Sequence, residues 1–343
     1  PRPEIEVTMT APRDKEVLLS VRNLEAGFDT GEGHVRAVDN VSFDIHRGEV
    51  FSIVGESGSG KSVTAMTILG LLPTVKVAGG EILWKGRNLL ELDDREMRHI
   101  RGAEISMIFQ DPLTALNPVH TIGRQVAEMG RIHDGLNKKE AMERAIAMLD
   151  LVGIPEARKR ADMHPHEFSG GMRQRAMIAM AIMCSPDLLI ADEPTTALDV
   201  TVQAQVLEVL VEIKDRIDSA IMLITHDLGV VAGLSDNVMV MYAGRQAEMG
   251  SSDEVFYESS HPYTLGLLKS IPDLDGPLDE PLIPIPGSPP SLIGRPSGCP
   301  FHPRCPMAEV PGRCDSEIPE LHSMGQSGHV SSCHFAEQVR VSS

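Results

Sequence analysis

The chain has 343 residues, five cysteines and a formal net charge of −18, enough length for about two domains with a sizeable core. The acid excess argues against a nucleic-acid partner, which calls for a basic face. No apolar run reaches the roughly 18 residues that a membrane-spanning helix needs, and no secretory signal pattern opens the chain.

Residues 1–16 are polar and Pro-containing and read as a flexible leader. Residues 17–28 and 35–45 alternate like strands; in the second, Val41, Phe43 and Ile45 share one face. They predict an antiparallel lobe beside a parallel core. Phe28 can stack on an adenine ring or serve as an ordinary edge aromatic. Residues 50–54 form an apolar run, read as a buried strand. Then comes Gly55-Glu56-Ser57-Gly58-Ser59-Gly60-Lys61-Ser62, a full match to G-x-x-x-x-G-K-[ST], followed by helical spacing over 61–72. Chance supplies on the order of 0.01 such matches in a chain this long. The pattern has a physical basis: glycines let consecutive N–H groups turn towards an anion. The helix N-terminus adds partial positive charge. Lys61 brings a full charge to the outer phosphates, and the Ser62 hydroxyl can bind Mg²⁺.

Gly79-Gly80 reads as a break, followed by a strand over 81–85 and a charged helix over 93–100. A strand over 105–109 delivers Gln110 to a strand end, where α/β sheets meet ligands. Amphipathic helices over 121–133 and 138–152 suggest a helical insertion, with Met129, Met142 and Met148 as packing residues. Ser169-Gly170-Gly171 opens another helix over 172–183, a second turn suited to an anion or a plain cap. The buried strand over 187–191 ends in Asp192-Glu193. Strand alternation sends these carboxylates to opposite sides, Asp192 to hold Mg²⁺ and Glu193 to take a proton from water. A helix over 201–216 follows Leu198-Asp199. A buried strand over 220–224 leads to His226, placed to contact a γ-phosphate or the attacking water. The last core strand expected is 237–242.

In order along the chain, these motifs resemble the ATP-binding subunit of ATP-binding-cassette (ABC) transporters. The motifs are the phosphate loop, a glutamine loop at Gln110, the signature Phe168-Ser169-Gly170-Gly171-Met172, the acidic Asp192-Glu193, the loop Ala197-Leu198-Asp199 and a switch histidine, His226. The signature departs from the commoner Leu-Ser-Gly-Gly-Gln at both ends but keeps its Ser-Gly-Gly. The resemblance implies an α/β P-loop ATPase core over residues 17–260, with an antiparallel β lobe and a helical subdomain over about 113–180. It implies ATP bound by Phe28, the 55–62 loop and Asp199, with Mg²⁺ at Ser62, Gln110 and Asp192. Lys61, Gln110, Glu193 and His226 would act in hydrolysis. It also implies a head-to-tail dimer with a second cassette, in which Ser169, Gly170 and Gly171 act on the ATP of the partner.

Residues 261–343 are similar to the C-terminal extension of the dipeptide/oligopeptide importer branch, as are Gln110-Asp111-Pro112 and Leu116-Asn117-Pro118. His261-Pro262-Tyr263-Thr264 precedes a helix to Ser270, and a proline-rich stretch then runs over 272–306. That branch implies a sister ATPase, two permease subunits, an extracytoplasmic binding protein and a peripheral position on the cytoplasmic face of the membrane. Cys299, Cys305, Cys314 and Cys333 lack the C-x2-C repeats of zinc ribbons. Four thiols in such a segment favour a metal, and the resemblance implies a [4Fe–4S] cluster; zinc, disulfides and free thiols are the alternatives. Competing functions are a soluble cassette ATPase acting on ribosomes or DNA, an importer subunit for a nickel chelate or glutathione, a P-loop kinase, and a metal-sensing regulator.

Overall fold

The computed structural model describes residues 16–31, 33–196, 198–270, 284–325 and 328–341. Of the expected features, the leader apart from Glu16, Ala197 and residues 272–283 of the proline-rich stretch lie outside the described residues.

The first strands are β1 (Val17–Thr30), β2 (Gly33–His46), β3 (Val50–Val54), β4 (Lys76–Trp84), β5 (Arg87–Asn88) and β6 (Ile105–Ile108). After them come β7 (Leu188–Asp192), β8 (Ala220–Thr225), β9 (Asn237–Tyr242), β10 (Arg245–Ser251), β11 (His322–Ser323) and β12 (Val330–Ser331). They form two sheets. One is the antiparallel lobe, in order β2-β1-β4-β5; the other runs β11-β12-β10-β9-β3-β8-β7-β6. In the second, β9, β3, β8, β7 and β6 pair in parallel. Every residue of β3, β7 and β8 is buried, as expected where both faces of a parallel sheet are covered. The strand ends at Val54, Asp192 and Thr225 therefore lie along one edge, with the 55–62 loop in the middle.

The helices Ile122–His133, Lys138–Leu151 and Gly170–Ala181 share one apolar core, against which Met129, Met142 and Met148 pack. Local chemistry fixes the start of the second. Asn137 accepts from the N–H groups of Lys139 and Glu140 while Glu140 bonds back to Asn137, a reciprocal cap.

Three expectations change. The helix after the phosphate loop ends at Ile68, short of Leu72, because the chain turns at Gly70, whose N–H reaches Thr67 O. Gly79-Gly80 is not a break, since β4 runs through it. The strand shifts register there against β1, and a Cβ on Gly80 (φ +92°) would sit 2.5 Å from Arg22 O; the glycine is what the close approach requires. Nor does the core sheet end at Tyr242. β10 pairs antiparallel with β9, and β12 and β11 extend that edge with residues from the far end of the chain.

Candidate active site

The central strand β3 runs into the phosphate loop, and the helix Lys61–Ile68 leaves it. Gly60 takes φ +102° at the helix N-cap, where a Cβ would meet Ala37 O at 2.4 Å, so only glycine fits. No side chain caps this helix, which leaves its first N–H groups for an anion. Lys61 is buried, and its Nζ donates to Gly55 O (2.7 Å) and Glu56 O (3.0 Å). Burial lowers the lysine pKa, against the pull of Glu193, Asp192 and Glu56. The Ser59 hydroxyl is buried without a partner. A buried cation, open helix N–H groups and an orphaned hydroxyl are together a fit for a polyphosphate.

Ser62 donates to Asp192 Oδ1 at 2.9 Å. Burial raises the Asp192 pKa; the Ser62 hydrogen bond opposes this, and neighbouring Glu193 adds to it. A buried carboxylate and a hydroxyl side by side are hard oxygen donors that fit Mg²⁺. Gln110 Nε2 donates to Glu193 Oε2 at 2.9 Å.

Glu193 also accepts from Thr196 Oγ1 at 2.9 Å, and its Oε1 lies 3.5 Å from His226 Nδ1. Its orientation has a different origin from the one expected. β7 ends at Asp192, and Glu193 takes a left-handed conformation (φ 46°), with its N–H bonded to Ile224 O. A strained backbone, rather than strand alternation, aims this carboxylate, and such strain concentrates at working sites. Around the loop lies a cavity of about 740 Å³ that gathers residues 55–63 with Gln110, Glu193 and His226.

The other expected residues lie outside that cavity lining. Ser169 caps its own helix, its hydroxyl accepting from Met172 N–H at a long 3.4 Å, and it and Gly170 are exposed. Asp199 caps the helix Val200–Ile217 by accepting from Val202 N–H. Phe28 is half-buried, paired with Val35 in the β1–β2 hairpin. Sequence reasoning missed Thr196, which orients Glu193. It also missed Leu267 and Pro289, which line the cavity from the C-terminal extension; neither belongs to a pattern that marks it.

All four C-terminal cysteines are free thiols, as is Cys184. Cys333 interacts electrostatically with Cys299, Cys305 and Cys314, so the four share one neighbourhood. Burial pushes Cys299 up to about 11 and Cys333 to about 12. Backbone N–H groups of Phe301, Met307 and Phe335 work the other way at Cys299, Cys305 and Cys333. Among the described residues, however, no group of three or more His, Cys, Asp or Glu is arranged to hold a metal ion. The four-cysteine metal site expected here is therefore not preformed for a single ion such as zinc; Cys314 and Cys333 are buried, and Cys299 and Cys305 are partly so.

Residues 38–196 match the model of the ABC transporter family, and residues 247–311 match that of the oligopeptide/dipeptide transporter C-terminal region. The chain is 54% identical over 303 residues to an oligopeptide transport ATP-binding protein, OppD, of Salmonella typhimurium, covering 88% of this chain and 90% of that one. It is 54% identical over 325 residues to a dipeptide transport ATP-binding protein, DppD, of Bacillus subtilis, covering 94% and 96%. Among solved structures it is similar to an ATP-binding cassette dimer in a post-hydrolysis state bound to ADP and Pi. There the identity is 28% and the TM-score 0.62, with 68% of this chain and 99% of that one covered.

Proposed function

Because this chain belongs to the ABC transporter family, in the branch of oligopeptide and dipeptide transport ATP-binding proteins, we propose that it hydrolyses ATP to drive a membrane importer of dipeptides and oligopeptides. One observation carries the reading. The cavity is lined by Lys61, Ser62, Gln110, Glu193 and His226, with Asp192 hydrogen-bonded to Ser62, while the exposed signature at Ser169 lies outside it. The chain has the parts of two half-sites, and a second cassette completes both.

Glu193 is the base that takes a proton from the attacking water, oriented by Gln110 and Thr196. His226, beside Glu193, faces the same cavity and serves the γ-phosphoryl group or the water. Lys61 lets go of the loop carbonyls and neutralises the outer phosphates. Ser62, Asp192 and Gln110 would hold Mg²⁺, which would supply charge stabilisation to phosphoryl transfer. Ser169, Gly170 and Gly171 bring N–H groups and a hydroxyl to the triphosphate held by the other cassette. Phe28 and Asp199 complete the nucleotide contacts.

The partners are a sister ATPase, two permease subunits and an extracytoplasmic binding protein that holds the peptide. No helix among the described residues is long and apolar enough to cross a membrane, so attachment to the cytoplasmic face would run through the permease. A [4Fe–4S] cluster at Cys299, Cys305, Cys314 and Cys333 is supported by four unpaired thiols in one neighbourhood, three with backbone N–H groups directed at sulfur. A cluster spreads its ligands more widely than a single ion does. Absorption by the full chain purified without oxygen, lost in Cys299→Ser, tests it; a colourless, iron-free chain contradicts it.

Solubilising membranes with the chain in place tests the main reading. The chain should co-purify with permease subunits and show ATPase activity stimulated by peptide-loaded binding protein. Recovery with ribosomes or DNA instead would contradict it.

A further inference from the structure

The phosphate loop is tied to the C-terminal extension by a buried arginine. Arg304 stands in the turn between Cys299 and Cys305 and is 7% exposed. Its guanidinium forks onto the Glu56 carboxylate, Nη1 to Oε2 at 2.6 Å and Nη2 to Oε1 at 3.0 Å. The other contacts hold the fork in place: Nε donates to Pro286 O at 2.8 Å, and Nη1 reaches the Tyr242 hydroxyl at 3.2 Å. Tyr263, fully buried in the extension, accepts from the Glu56 N–H at 2.9 Å. The Glu56 carbonyl accepts from Lys61. One residue of the loop is thus held by carboxylate and N–H from the extension and touches the phosphate-binding lysine through its carbonyl.

This arrangement meets two physical needs. A loop with glycines at 55, 58 and 60 loses much conformational entropy when ordered around an anion, and outside contacts reduce that loss by ordering it beforehand. Glu56 also places a negative charge beside the position for phosphates, and pairing it with Arg304 offsets the repulsion. On the reading that this cavity binds ATP, we propose that Arg304 is a positioning residue for nucleotide binding, acting through Glu56 to pre-order the phosphate loop and cancel its charge. The extension is then part of the nucleotide site, which Leu267 and Pro289 bear out by lining the cavity.

The test is MgATP titration of the full chain by calorimetry, with ATPase measured in the assembled transporter. Arg304→Met should weaken MgATP binding by about tenfold to hundredfold, because it leaves a carboxylate unpaired. KM for ATP should rise with it, while kcat at saturating ATP stays near the wild-type value. Arg304→Lys, which keeps the charge but loses the fork, should fall in between. Combining Arg304→Met with Glu56→Gln removes the unpaired charge and should recover most of the lost affinity. A folded Arg304→Met chain that binds MgATP like wild type overturns the inference. So does an Arg304→Met effect that is as large in the Glu56→Gln background as in the wild type, since Arg304 would then act only by holding the extension together. If wild type and Lys61→Ala both fail to bind MgATP, the ATPase reading itself fails instead.

Discussion

Two helices of this chain open on glycine turns suited to an anion, and their surroundings differ. At Gly60–Lys61 the turn sits at the end of a central parallel strand, beside a buried lysine, a Ser62–Asp192 pair and a cavity bounded by Gln110, Glu193 and His226. At Ser169–Gly170 the turn faces outward, its hydroxyl spent on a 3.4 Å bond to its own helix. The first turn has a buried lysine, a hydroxyl–carboxylate pair and Glu193 beside it. The second has donors and nothing to give them to. The contrast is what the proposed division of the site between two cassettes would require: each would carry one phosphate cradle and one lid for the other.

Substitutions can break this contrast from either side. The largest effect belongs to the cradle. Glu193→Gln keeps the hydrogen-bonding shape but removes the base, and hydrolysis in the assembled transporter should fall by about 10²–10⁴-fold with MgATP still bound. A normal rate would remove Glu193 as base. Ser169→Ala addresses the lid. The isolated chain should bind MgATP as wild type does, because Ser169 lies outside its own cavity, while turnover of the assembly falls by up to about 10²–10³-fold, as for loss of one transition-state donor. Loss of binding in the isolated chain would mean that both turns serve one site.

A third helix start sharpens the comparison. The helix Pro262–Lys269 is capped by His261, whose Nδ1 accepts from Tyr263 N–H at 3.0 Å. Burial lowers the His261 pKa to about 4 from an ordinary 6.5. A depressed folded pKa means that the unfolded chain binds the extra proton between these values. The contribution is therefore complete above pH 6.5 and is lost as pH falls towards 4, by at most roughly 3 kcal/mol. Acid should accordingly loosen the extension, with His261→Gln flattening the pH dependence in thermal melts followed by Tyr263 protection. Unchanged melting between pH 7 and pH 4.5 would contradict this. The smallest effect is at Thr196. Thr196→Val removes one hydrogen bond to Glu193 and should slow hydrolysis by about fivefold, near 1 kcal/mol, with no change in MgATP affinity.

The cradle was legible in the sequence because its chemistry is contiguous: the turn needs glycines and a lysine at fixed spacing, and buried strands announce themselves as apolar runs. Contacts across the fold left no such trace. Arg304 meets Glu56 across 248 positions, and two short strands join β10 from the chain's far end; neither has a periodicity of its own. Glu193 shows a subtler limit. Alternation pointed it to the correct cavity, but its left-handed backbone, set by the Ile224 pairing, is what holds it there. Gly79-Gly80 misled because glycine marks both breaks and bulges, and only the approach of Arg22 O distinguishes them.

The most direct measurement is the structure of the MgATP-loaded transporter carrying Glu193→Gln. The divided-site account expects Ser169 of this chain against the γ-phosphate held by the other cassette's phosphate loop, with Lys61 on a different nucleotide. Ser169 remote from every triphosphate, or touching the one bound by its own Lys61, would contradict it.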